Sequence, residues 1–138
     1  MYDLIYDKAF MLNTSRVLLS AFLAILFLQS GLDKIFDFKG NLDYIKGQFA
    51  NGPLSKVSPV LLITLTIIET GAGFLNFAAV LEILFRGSAF FAASGYAAAS
   101  LSFLALLFGQ RMAKDYAGAA VLPPYFLVAI AGLLTFVF

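Results

Sequence analysis

The chain has no cysteine, no histidine and no tryptophan, and only 12% of its 138 residues are charged. Without cysteine there is no disulfide, no thiol chemistry and no iron–sulfur ligation. Without histidine the usual ligands of zinc and haem are missing as well, and only Met1, Met11 and Met112 remain as soft ligands. No metal site and no covalently held cofactor is expected. If the chain takes part in electron transfer, another protein must carry the metal. Nine Lys and Arg oppose eight Asp and Glu, a balance with no signature of nucleic acid or of an acidic substrate.

The shortage of charge also decides the class. An ordinary soluble domain is about 25% charged, whereas here 62% of the residues are hydrophobic. Polar residues are missing over whole windows of about 20 residues, so lipid is the expected solvent. Four apolar stretches follow, near 16–34, 57–79, 87–108 and 118–138. They predict an all-α fold: a single-domain integral membrane four-helix antiparallel bundle, with both termini on one side. The first stretch also has the length of a signal peptide, but Leu28-Gln29-Ser30 is a poor cleavage site, and it is read as a helix of the mature protein.

The connection from Lys34 to Lys56 is long and charged. Leu42, Ile45 and Phe49 recur in it at helical spacing after Asn41, a candidate N-cap, and Asn51-Gly52-Pro53 ends the run with turn chemistry. A short interfacial helix near 41–50 is predicted. A second interfacial segment is expected at the N-terminus, with Tyr2, Ile5, Ala9 and Leu12 on one face. The third stretch carries two small-residue ridges, Ala89-Ala93-Ala97 and Ser94-Ala98-Ser102, that suit close helix packing in lipid. Gly71 and Gly73 extend this to the second stretch, and Gly118 and Gly132 to the fourth. The third helix is expected to be the most enclosed, and Pro123-Pro124 should kink or delay the fourth.

Few polar residues lie inside these stretches. Glu69 stands alone about a dozen residues into the second, roughly 15 to 18 Å from its start. A carboxylate at that depth is costly unless it is neutral, paired or beside water. Two roles are open to it: a proton-accepting or ligand-bonding group, or a structural hydrogen-bonding partner. Lys34, near the end of the first stretch, either snorkels to the interface with Asp33 and Asp37 or reaches inward to Glu69. The second needs helix ends that are sunk or tilted. Asp115 and Tyr116 offer a carboxylate and a phenol at the same interface, and Arg16 and Arg86, which open the first and third stretches, are read as headgroup anchors. Six basic residues on the side of the long connection oppose three on the side of the termini, but pairing with acids dilutes the count and leaves the orientation open.

Gly31-Leu32-Asp33-Lys34-Ile35 at the end of the first helix, Glu69-Thr70-Gly71-Ala72-Gly73 in the second and Arg86 beyond it resemble the DoxX-like family of small four-helix bacterial membrane proteins, over essentially the whole chain. The resemblance implies the bacterial cytoplasmic membrane and a candidate polar site at Gly31, Lys34 and Glu69. The family's namesakes are similar to membrane subunits of a thiosulfate:quinone oxidoreductase, and other members look like accessory partners of redox or stress-response complexes. The leading expectation is therefore a non-catalytic accessory subunit of a larger membrane complex, respiratory or redox, or a homo-oligomer. The alternatives are a quinone-interacting subunit, with Glu69 exchanging protons and Lys34 or Tyr116 holding a carbonyl oxygen, and a small-molecule carrier. Quinone or membrane lipid is the expected ligand.

Overall fold

The computed structural model describes residues 7–50 and 52–138; Tyr2, Ile5 and Asn51 lie outside them. Helix α1 runs from Lys8 to Phe36, α2 from Phe38 to Gln48, α3 from Ser58 to Arg86, α4 from Phe90 to Met112, α5 from Tyr116 to Ala120 and α6 from Leu122 to Leu134. A single 3-10 turn, Ser55–Val57, leads into α3. There is no strand among the described residues. Four helical stretches, with α5 and α6 together making the fourth, are long and apolar enough to cross a membrane. The protein is thus an all-α, multi-pass membrane bundle.

Local chemistry sets the helix ends, and several differ from the sequence reading. The Asp7 side chain accepts from Phe10 N and starts α1 at Lys8, so Ala9 and Leu12 belong to the first spanning helix and not to a separate interfacial one. Thr14 and Ser15, which precede the apolar stretch drawn from 16, donate back to Phe10 O and Met11 O and are helical. Asp37, not Asn41, caps α2 by accepting from Gly40 N. Asn41 sits one turn inside and donates to Asp37 O. The second span continues to Arg86, where Gly87 closes it at φ 73°, a left-handed conformation that costs glycine nothing. Arg86 is therefore the exposed last residue of α3, and does not open the third span. The fourth span breaks at Val121, and Pro123 and Pro124 follow in the first turn of α6, where a missing N–H is tolerated.

The bundle is a ring in the order α1, α3, α4, α6, with its thinnest seam between α1 and α6. The third span has the largest buried share, 39%, against 28% or less for the others. Its buried face is Ala92, Gly95, Tyr96, Ala99 and Phe103, one position away from the anticipated ridge. Ala97 is exposed, Ala89 and Ala93 are half-buried, and only Ser102 of the second ridge is fully buried. The shift follows from size: Tyr96 and Phe103 are the large side chains on this helix that reach the core, and turning them inward moves the alanines beside them to the flanks. Gly71 likewise faces outward, where an added Cβ would meet nothing within 4 Å, whereas Gly73 receives Leu28 so closely that an added Cβ would lie 2.9 Å from it.

Two features position the polar site. Leu28 packs opposite Gly73 and Gly31 opposite Thr70, so α3 begins about two turns beyond the point where α1 ends. Helix α2 fills that step, with Phe49 buried. At the other end Arg16 locks the ring closed: Nε donates to Thr135 Oγ1 at 3.0 Å and Nη2 to Thr135 O at 2.9 Å. The guanidinium also lies 4.0 Å from the centre of the Phe136 ring. Arg16 is thus half-buried between the first and fourth spans, a clasp rather than a headgroup anchor.

Candidate functional site

Glu69 lies on the α3 face that also carries Leu62, Ala72, Gly73, Asn76, Ala79 and Ile83, the buried stripe of that helix. Its spacing on that stripe turns the carboxylate inward, and the residue is 1% exposed. Opposite it the last two turns of α1 present Ser30 and Lys34, four residues apart and therefore on one face. Lys34 Nζ is 2.8 Å from Glu69 Oε2 and 2.8 Å from Ser30 Oγ. Ser30 Oγ in turn donates to Glu69 Oε2 at 2.7 Å. The three side chains close a triangle of ammonium, hydroxyl and carboxylate.

The stagger of α1 and α3 makes this triangle possible. If the two helices ended level, Lys34 would sit at the interface while Glu69 lay more than two turns deeper. Because α3 overshoots, Lys34 comes level with the turn of α3 that carries Glu69 and needs to bend only one side chain inward. Gly31 is the close-approach residue: any side chain there would collide with Thr70, so glycine is what brings α1 near enough for the pairing. A pair of this kind answers the cost of taking either charge out of water, provided that its remaining hydrogen bonds are met. The ammonium has its three acceptors in Glu69 Oε2, Ser30 Oγ and, at 3.5 Å, Ser30 O. Both bonds to the carboxylate fall on Oε2.

The triangle is bordered on two sides by open space. Beneath α2 lies a cavity of about 180 Å³ with Lys34 in its wall. Asn41, Tyr44 and Gln48 of α2 and Gln110 of α4 supply polar groups, and Ile45, Phe49, Leu65 and Leu106 the apolar surface. On the opposite flank, at the thin seam between α1 and α6, a groove of about 510 Å³ ends on Ser30. The triangle forms part of the partition between them.

Of the residues singled out from sequence, the structure brings together Glu69, Lys34 and Gly31. Asp115 and Tyr116 serve elsewhere. The Asp115 side chain accepts from Gly118 N and caps α5, and the Tyr116 ring is exposed with the Arg111 guanidinium 4.8 Å above it. Ser30 went unrecognised, although its spacing of four from Lys34 is a signal. So did a second buried polar group two turns along from Glu69: Asn76 Nδ2 donates to Ala72 O at 2.8 Å and across to Gly95 O at 3.1 Å, tying α3 to α4. Tyr96 was missed as well. Fully buried, it donates to Arg16 O at 2.7 Å and accepts from Ser20 Oγ at 3.1 Å. Among the described residues no group of three acidic, cysteine or histidine side chains is placed to hold a metal ion.

No family model, no curated protein and no solved structure matches the chain.

Proposed function

We propose that this chain is a DoxX-like subunit of a bacterial cytoplasmic-membrane redox complex, binding the head group of a quinone at Lys34, Ser30 and Glu69 and leaving electron transfer to a partner. The observation that carries the reading is the buried triangle with open space on both flanks. An ammonium and a hydroxyl suit a carbonyl oxygen once it takes the place of one of their bonds within the triangle, and Glu69 Oε1, which takes neither of the triangle's bonds, suits a hydroxyl. That donor and acceptor set fits both forms of a quinone head group. A quinone supplies two-electron, two-proton chemistry when bound; the chain's own residues bind, orient and hold protons beside it. With no cysteine or histidine, the chain lacks the usual ligands of haem and iron–sulfur groups, and in this reading another subunit carries them.

The leading alternative is an accessory subunit that docks without a ligand. One observation favours it: the three acceptors of Lys34 already account for its three N–H groups, as in a purely structural pair. The two readings part on one experiment. The wild-type protein and the double variant Lys34→Met/Glu69→Leu are purified in mild detergent and titrated with a benzoquinone, and proteins that co-purify are identified by mass spectrometry. Quinone binding is expected to be saturable in the wild type and at least about tenfold weaker in the variant, with a haem, flavin or iron–sulfur protein retained by both. Equal binding by the two proteins would leave the docking role alone standing.

A further inference from the structure

The thin seam between α1 and the fourth span is pinned at one end by the Arg16 clasp and opens towards the other. Its opening has a cause in the chain. The fourth span is broken at Val121, and α6 begins only at Leu122, so this span is short and divided where α1 still continues to Phe36. Into the gap faces an apolar wall made by Phe22, Ile25 and Leu26 over one turn of α1. Tyr125 of α6 forms the opposite lip, with its ring 6.1 Å from Phe22 and stacked 6.0 Å from Phe103 in the core. Below that wall the same face of α1 turns polar with Gln29, Ser30 and Asp33. Gln29 and Asp33 are exposed there.

We infer that this groove is a binding site for the hydrocarbon tail of a bilayer-soluble amphipath, and is the lateral route by which its polar head reaches Ser30 and the buried pair. The inference rests on the quinone reading of the Lys34–Ser30–Glu69 triangle and commits it to one side of that triangle. Three observations favour this flank over the cavity beneath α2. The groove is open along a membrane-spanning helix, where the surrounding solvent is acyl chain, so a tail can slide in without crossing water. Its lining changes from apolar to polar in the direction of Ser30, matching a molecule with one apolar and one hydrogen-bonding end. Ser30 is also the shared atom of the arrangement: it lines the groove and its hydroxyl donates to Glu69. The cavity beneath α2, smaller and rimmed by Asn41, Tyr44, Gln48 and Gln110, is the interfacial, polar access to Lys34.

The test compares two probes, a decyl-substituted benzoquinone and the same ring without the chain, on purified protein in detergent. Ile25→Trp fills the groove from a position that is 60% exposed, so the fold is not at stake, and a thermal melt checks it. The wild type is expected to bind the decyl form more tightly than the bare ring. Ile25→Trp should weaken the decyl form by about tenfold and leave the bare ring within about twofold, whereas Glu69→Gln should weaken both. Wild-type binding that Ile25→Trp leaves unchanged, or weakens equally for both probes, overturns the groove while the triangle keeps its ligand. If the wild type binds neither probe, the quinone reading falls and the groove inference with it.

Discussion

The Lys34 and Glu69 charges need each other more than the fold needs the pair. Removing one partner of a buried pair leaves the other charge without compensation, at a cost of about 3 kcal/mol or more, while replacing both by apolar groups of similar volume is close to neutral. Lys34→Met is therefore expected to destabilise the protein by about 3 kcal/mol and Glu69→Leu by a similar amount, whereas the double variant should stay within about 1 kcal/mol of wild type. Denaturant or thermal unfolding in detergent, run as a double-mutant cycle, measures all three. Additive losses would mean that the two groups do not act as a pair. The expected recovery of the double variant also makes it the proper protein for the binding titration, since a loss of ligand could not then be blamed on a loss of fold.

At the scale of the helix, the most telling backbone position is Lys114. It has φ 59°, the only positive φ outside glycine among the described residues, and ends α4 in a turn where Asp115 N donates to Gln110 O and Lys114 N to Arg111 O. That turn needs a left-handed residue, which glycine adopts freely and lysine does not. Lys114→Gly is expected to stabilise the protein by up to about 1 kcal/mol, and Lys114→Val to destabilise it by a similar amount or more, because a branched Cβ tolerates this region worst. Melting temperatures of the two variants decide it; a loss in the glycine variant would show that the lysine side chain contributes more than its backbone costs.

The helices were also the most legible part of the sequence. Long apolar runs mark four spans because no other structure satisfies backbone polar groups in lipid, and Asn51-Gly52-Pro53 marks the end of α2. The boundaries were less legible. The first turns of α1 are polar yet helical because Thr14 and Ser15 bond back to carbonyls, and Asp37 competes with Asn41 for the cap by lying one turn earlier. Glu69 could be picked out because an isolated carboxylate in an apolar run has few reasons to be there. Its partner could not be chosen, since pairing depends on the stagger between α1 and α3, a property of packing that no spacing within either helix records. The same holds for Arg16, whose acceptor in Thr135 lies 119 residues away.

For the whole molecule, packing also sharpens the question of which way the bundle faces. Lys34, Lys39, Lys46, Lys56, Arg111 and Lys114 belong to the end that carries α2, and Lys8, Arg16 and Arg86 to the end where α1 starts and α6 finishes. Lys34 is committed to Glu69 and Arg16 to Thr135. Setting those two aside leaves five basic residues at the α2 end against two at the other. Basic residues in short loops are retained on the cytoplasmic side, so the α2 end is expected to face the cytoplasm and the end where α1 starts and α6 finishes to face outward. The absence of cysteine makes the test clean, since any introduced thiol is the only one. Gly47 has open space around it and Ser88 is exposed in the connection between α3 and α4, which makes Gly47→Cys and Ser88→Cys probes of opposite ends. With a membrane-impermeant maleimide on intact cells, Ser88→Cys should label at once and Gly47→Cys only after the membrane is opened. The reverse pattern would turn the bundle over and put the polar mouth beneath α2 outside the cell.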